Sequence, residues 1–260
     1  MAKILAVANQ KGGVGKTTTS VNLAAGLAAA KRRVLLVDLD PQGNATTGSG
    51  IAKSGLTKTV YHVLLEEATV ADVRVAAPQG KYDLIPANRE LAGAEVELVD
   101  EDRRERRLRA ALEPVAADYD YILIDCPPAL NLLTLNGLVA ANSVMIPMQC
   151  EYYALEGLSD LVNTVKKVRA NLNPELEIEG LLRTMFDPRN ALAQQVSDQL
   201  QQHFGEKVYS TVIPRNVRLA EAPSYGLPVL YHDKTSKGAL AYLALAVEFL
   251  KRREGARVPA

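Results

Sequence analysis

The chain has 260 residues, 48% of them apolar, with 30 Lys and Arg against 30 Asp and Glu. That balance excludes whole-chain disorder, collagen and coiled coil, and it excludes a protein that coats nucleic acid over its entire surface, while leaving room for a local basic patch. Aromatic residues make up only 5% and Trp is absent, so the core is built of Ala, Val, Leu and Ile, as suits helices layered on a parallel sheet.

The first expected element is a strand, Ile4–Ala8, an apolar run too short for a secretory segment. It runs into Lys11-Gly12-Gly13-Val14-Gly15-Lys16-Thr17-Thr18 and then a helix over Lys16–Ala30. Strand, glycine loop and helix together make a phosphate cradle. Glycines let the backbone come close, and successive N–H groups with the helix N-terminus supply positive potential. Lys16 is placed to meet the β- and γ-phosphates, and the Thr17 hydroxyl to bind Mg²⁺.

A second strand, Val34–Val37, delivers Asp38 and Asp40 to its carboxyl end, where open α/β sheets bind ligands. Two residues apart on an extended chain, both carboxylates point to one face. They either serve the phosphate site or cap the loop that follows. The Gly-, Ser- and Thr-rich stretch Gly43–Lys58 reads as a mobile loop, Tyr82–Pro86 as a weaker strand, and the charge-dense run Glu95–Arg109 as a solvated helix face leading into a helix over Arg103–Ala117.

Tyr121–Ile124 is a strand ending in Asp125, an apolar run delivering one carboxylate toward Mg²⁺. The uncharged stretch Cys126–Cys150 is long enough to span a bilayer, but its prolines and asparagines make it a buried helix followed by a strand, Val144–Met148. Two cysteines are too few for a disulfide framework, and both read as small buried residues of a reduced, cytosolic protein. The remaining expectations are a helix over Leu155–Leu172, a strand over Ile178–Met185, a helix over Ala191–Phe204, a strand over Val208–Ile213 and a helix over Ser236–Arg253. The alternation predicts one doubly wound α/β domain over residues 1–260, a mostly parallel sheet flanked by helices on both faces.

The octet KGGVGKTT resembles the deviant Walker A motif of the ParA/MinD class of P-loop ATPases. Gln10 stands where an ordinary P-loop has its first glycine. The likeness to ParA/Soj-type partition ATPases runs over roughly residues 3 to 250, carried by DLDPQGN (38–44), DCPPALNLLTLNGL (125–138), QCEYYALEGL (149–158) and IPRNVRLAEAPSYG (213–226). The resemblance implies ATP or ADP with Mg²⁺, held by Lys11, Gly12, Gly13, Val14, Gly15, Lys16, Thr17 and Thr18, with Pro214 and Asn216 against the adenine. It implies that Lys11 reaches across a homodimer to the partner's nucleotide, that Asp40 positions or activates the attacking water, and that Thr17, Asp38 and Asp125 serve the metal.

It further implies nonspecific double-stranded DNA binding in the ATP state, a stimulating partner of the ParB/Spo0J type and a place on the nucleoid. From Arg183 onward eleven Lys and Arg face seven Asp and Glu, leaving nineteen against twenty-three in the remainder. Arg189 and Arg218 are the first candidates for phosphate contacts, followed by Arg215, Lys234, Lys237 and Arg252, although scattered solvated lysines would give a similar count. The alternative within the class is a MinD-like scaffold that positions proteins at a membrane or pole. The terminal segment Gly238–Leu250 is apolar nearly all round, which reads as a helix docked on the body, with no stable membrane association.

Overall fold

The computed structural model describes residues 2–255; Arg257, one of the basic residues after Arg183, lies outside them. Strands β1 (Lys3–Val7), β2 (Val34–Asp38), β3 (Val75–Ala76), β4 (Asp83–Ile85), β5 (Tyr121–Asp125), β6 (Ser143–Met148) and β7 (Glu177–Arg183) form one sheet in the order β3-β4-β2-β5-β1-β6-β7. All pairs are parallel except β3 with β4. The antiparallel strand is two residues long and sits at the edge, where a short strand leaves little unpaired backbone for another chain.

Alternate side chains of the central strands enter two separate cores. Leu35, Val37, Ile122 and Ile124 face one, and Val34, Leu36, Tyr121 and Leu123 face the other, as the two-residue period of a strand requires. Helix α1 (Lys16–Ala29) and the last helix pack in the second layer. Helices α2 (Leu132–Ala140), α3 (Ala154–Asn171) and α4 (Ala191–Phe204) lie chiefly in the first. Asn131, Asn190 and, for α5 (Lys237–Glu254), Ser236 each accept N–H bonds that would otherwise be orphaned at their helix starts. Gly26 lets α1 approach α5 closely, since a Cβ there would come within 2.9 Å of the Ala246 Cβ.

Cys126–Cys150 is α2 plus β6, as expected, and both thiols are buried and unpaired. Among the described residues no helix is long and apolar enough to cross a membrane. Two expected elements are corrected. The helix over Arg103–Ala117 is three pieces, 3₁₀ turns at Arg104–Arg106 and Glu113–Asp118 around a short helix Arg107–Leu112, which ends where Pro114 has no N–H to continue the ladder. Val208–Ile213 is not a strand. Its ends meet β7 through Tyr209 N–H to Leu181 O and Ile213 N–H to Arg183 O, each 2.9 Å, but the Ser210 and Thr211 N–H groups go to the Glu248 carboxylate at 2.8 Å. A side chain drawn from α5 thus takes the donors a ladder needs. The stretch expected as a loop from Gly43 contains a short helix, Asn44–Gly48.

Candidate nucleotide site

The loop between β1 and α1 leaves the sheet beside the point where the chain crosses over β5 to build β2, the crevice in which such sheets hold ligands. Gly13 and Gly15 have φ of 72° and 85°, left-handed values that favour glycine, and the loop wraps toward the N-terminus of α1. Three contacts fix it from outside. Asn9 Oδ1 accepts the Lys11 N–H at 3.0 Å, Asn9 Nδ2 donates to Pro147 O at 2.8 Å, and Thr184 Oγ1 donates to Val14 O at 2.8 Å.

Lys16 is buried, and its ammonium donates to Lys11 O at 3.0 Å within the loop. Burial lowers its pKa from the ordinary lysine value, opposed by the charges of Asp125 and Asp40. A desolvated ammonium with one carbonyl for a partner is poised to accept an anion. Lys11 points elsewhere. Its ammonium pairs with Glu151 at 2.5 Å on the exposed rim, with the two side chains 47% and 51% accessible.

Asp125 and Asp38 occupy matched positions on β5 and β2, and both are fully buried. Ser20 Oγ donates to Asp125 Oδ1 at 2.9 Å, whereas Asp125 Oδ2 is buried with no partner. Burial raises the Asp125 pKa, helped by the Asp38 charge and opposed by the hydroxyls of Thr17 and Ser20. An orphaned carboxylate oxygen beside the Thr17 hydroxyl fits a Mg²⁺ ion that keeps several waters. No group of three or more His, Cys, Asp or Glu side chains arranged to hold a metal occurs among the described residues.

Asp38 is bonded within the protein. Its Oδ2 accepts both the N–H and the hydroxyl of Thr46 at 2.7 Å, and its Oδ1 accepts the Asp40 N–H at 3.3 Å. Asp38 thus ties down the loop that carries Asp40, as the capping alternative describes. Burial raises its pKa, against the pull of those hydrogen bonds. Asp40 Oδ1 accepts the Gln42 N–H at 2.9 Å, and the residue is only 9% exposed.

Pro214 and Asn216 lie on a half-buried loop, where Asn216 Oδ1 caps the short helix Val217–Glu221 by accepting the Arg218 N–H at 3.1 Å. A parallel bridge between Phe186 and Pro214 brings the Arg189 loop beside Arg215. Gly238 packs on Leu219, and Arg218 reaches Asp233 at 3.4 Å, so Lys234 and Lys237 border the same surface. Arg189, Arg215, Arg218, Lys234 and Lys237 are exposed, although Arg189 pairs with Asp187 and Arg218 with Glu221, each at 2.8 Å.

Arg252 does not join them. It lies near the far end of α5, roughly 22 Å from Lys237 at 1.5 Å per residue. Its guanidinium is taken up by Glu248, by the Glu206 and Val208 carbonyls and by the face of Tyr209. Asn9, Ser20, Thr46 and Thr184 do not stand out in the sequence, since their partners are set by tertiary contacts.

A family model described as an AAA domain matches residues 2–178. The Bacillus subtilis protein named sporulation initiation inhibitor protein Soj is 58% identical over 248 residues, 95% of this chain and 98% of its own. The Myxococcus xanthus chromosome partitioning protein ParA is 54% identical over 252 residues, 97% of this chain and 89% of its own. A solved Mycobacterium smegmatis structure, described as cobyrinic acid a,c-diamide synthase with bound ATP analogue and magnesium, superposes with a TM-score of 0.87 at 38% identity, covering 99% of this chain and 98% of that one. With more than half its residues identical to partition proteins along nearly its whole length, and with a phosphate cradle at its sheet crossover, the chain belongs to the ParA/Soj family of chromosome-partitioning ATPases.

Proposed function

We propose that the protein is a DNA-partition ATPase in which Mg-ATP drives formation of a sandwich homodimer, the dimer binds duplex DNA without sequence preference, and a centromere-binding partner of the ParB/Spo0J type stimulates hydrolysis to release it. The observation that carries this reading is the division between two lysines of one loop. Lys16 is buried in the cradle, while Lys11 sits on its exposed rim. Lys16 suits the phosphates of its own site, and Lys11 is placed to neutralise phosphate charge on a second copy, as a finger supplied in trans does.

In this scheme Lys16 exchanges the Lys11 carbonyl for phosphate oxygens, and the loop N–H groups join it. A bound Mg²⁺ would supply charge compensation to the phosphates, and Thr17 and the unpartnered oxygen of Asp125 would hold it. Asp40, held by Asp38 through the intervening backbone, orients the attacking water. Pro214 and Asn216 contact the adenine, and turnover returns the protein to a DNA-free state. Arg189, Arg215, Arg218, Lys234 and Lys237 supply the phosphate-binding face, doubled in a dimer, and nucleoid association follows from that affinity.

The test is binding to unrelated duplex DNA and to anionic liposomes, each with ADP and with a slowly hydrolysed ATP analogue. Analogue-dependent DNA binding that weakens with salt supports the reading. Analogue-dependent liposome binding without DNA binding replaces it with a membrane-directed scaffold.

A further inference from the structure

The surface that carries Arg218, Lys234 and Lys237 is joined to the nucleotide site through the stretch Ala222–Val229. That stretch is a 3₁₀ turn over Ala222–Tyr225, a left-handed Gly226, then Leu227 and Pro228 before a short helix begins at Val229. Ala222 and Val229 are buried in the second core layer, and Arg218 closes the span from outside by reaching Asp233 at 3.4 Å.

One grip on this stretch is Asn22, on the second turn of α1. Its side chain is buried, its Nδ2 donates to Thr18 O at 2.8 Å, and its Oδ1 accepts the Val229 N–H at 2.7 Å. The bond to Thr18, one turn back in the same helix, fixes which way the amide faces. The bond to Val229 joins residues 207 apart in sequence and satisfies a buried backbone donor at a helix start, where the helix itself offers no partner. An amide supplies donor and acceptor at once, which neither an aliphatic side chain nor a carboxylate does.

The other grip is Gly50, which follows the short helix Asn44–Gly48 and donates its N–H to Thr47 O at 3.0 Å. Thr46 of that helix holds Asp38. Gly50 and Gly226 have φ of 82° and 64° and meet backbone to backbone: a Cβ on Gly50 would come within 2.8 Å of Gly226 O, and one on Gly226 within 2.8 Å of Gly50 Cα. A single stretch is thus held both by the helix that receives the phosphates and by the segment that follows Asp40, and its two ends lead to the basic residues of the DNA face.

We propose that Asn22 is a positioning residue for DNA binding: it fixes Ala222–Val229 to the first turns of α1, so that phosphates bound at the start of that helix set the placement of Arg218, Lys234 and Lys237 within each protomer. The proposal rests on the partition reading above and adds to it that pairing two protomers does not by itself create the DNA-binding state.

The test compares the full-length wild-type chain with Asn22→Ala, measuring ATP turnover, dimerisation with the slowly hydrolysed analogue by sedimentation, and affinity for unrelated duplex DNA with the analogue and with ADP. Turnover and dimerisation should stay at wild-type levels, while the analogue-loaded dimer loses DNA affinity by about tenfold, inside the roughly 5- to 150-fold range of coupling between sites. Losing a partner for the Val229 N–H lowers the unfolding midpoint in any case, so the deciding readout is the DNA affinity of dimers that circular dichroism shows to be folded. Hydrogen exchange at the Val229 amide of the wild-type chain needs no variant and decides the matter if Asn22→Ala fails to fold or to dimerise: protection should rise when the analogue replaces ADP. Wild-type DNA affinity in the Asn22→Ala dimer, or Val229 protection that ignores the nucleotide, overturns the positioning role and leaves the partition reading intact. A wild-type chain whose DNA binding ignores the nucleotide overturns the partition reading, and the positioning role with it.

Discussion

Asp38 and Asp125 lie directly opposite each other in the register between β2 and β5, both fully buried, one accepting from Thr46 and the Asp40 N–H and the other with one oxygen unpartnered. The two strands thus bring to one point an acid that builds the loop and an acid with one buried oxygen left without a donor. Burial raises both pKa values above the ordinary 3.8, and for Asp125 the Asp38 charge adds to it.

That pairing makes the nucleotide-free protein sensitive to pH in a definite direction. Each carboxyl holds its proton more tightly folded than unfolded, so above the ordinary value of 3.8 the folded state carries the excess protons. Stability is then greatest in acid within this pair's contribution. It falls as pH rises toward the raised values, by up to about 1.4 kcal/mol per pH unit for each excess proton. Denaturant unfolding at about pH 5 and about pH 8 should show this loss in wild type and a smaller one in Asp125→Asn. An equal slope in the variant would assign the effect to other groups.

Lys16→Ala should leave the fold intact, because the ammonium bonds only to Lys11 O within the loop, and should lower ATP turnover by on the order of 10²-fold or more, the cost of removing a group that stabilises transition-state charge. Steady-state phosphate release together with circular dichroism checks both halves. Wild-type turnover in Lys16→Ala would remove the loop from the chemistry.

The phosphate loop is legible in the sequence because its information is local: three glycines, two lysines and two threonines within eight residues, between an apolar run and a helix. Strands β1, β2, β5 and β6 are legible for a similar reason, since centrally placed parallel strands are apolar on both faces. Val75–Ala76 is not, being two residues with no alternation to detect, and Val60–Leu64 and Leu91–Glu97 are too short for a helical period to declare itself. Val208–Ile213 has strand composition but loses its donors to Glu248, 37 residues away or more. Ser20 and Thr184 bond to groups 105 and 170 residues distant, and Asp38 shows its structural role only once Thr46 is seen to donate twice to its Oδ2.

Asp40→Ala should separate binding from hydrolysis. Its side chain caps only the Gln42 N–H, so the loop should survive, anchored by Asp38 and Thr46. ATP binding should persist while turnover falls by about 10²- to 10⁴-fold, the range for removing a group that handles a reacting proton. With hydrolysis blocked, the protein should accumulate on DNA in plain ATP as wild type does with the slowly hydrolysed analogue. Co-sedimentation with DNA alongside phosphate release measures this, and an Asp40→Ala chain that turned over normally would take Asp40 out of the mechanism.

Arg189→Ala and Arg218→Ala should weaken DNA binding without touching dimerisation or stability. Both guanidiniums are exposed, and their pairs with Asp187 and Glu221 are the surface kind that contributes little to folding. Those same carboxylates must be released when a phosphate takes their place, so each arginine yields less affinity than an unpaired one, and Arg215, with no ion pair among the described residues, should be at least as sensitive. For every DNA phosphate that an arginine no longer neutralises, the slope of log affinity against log salt should become shallower by about one. Arg252→Ala is the contrasting case: with its guanidinium held by Glu248, two carbonyls and the Tyr209 ring, its removal should lower the unfolding midpoint and leave the salt slope unchanged. A reduced slope in Arg252→Ala, or an unaltered one in both Arg189→Ala and Arg218→Ala, would move the DNA-binding face to the other end of α5.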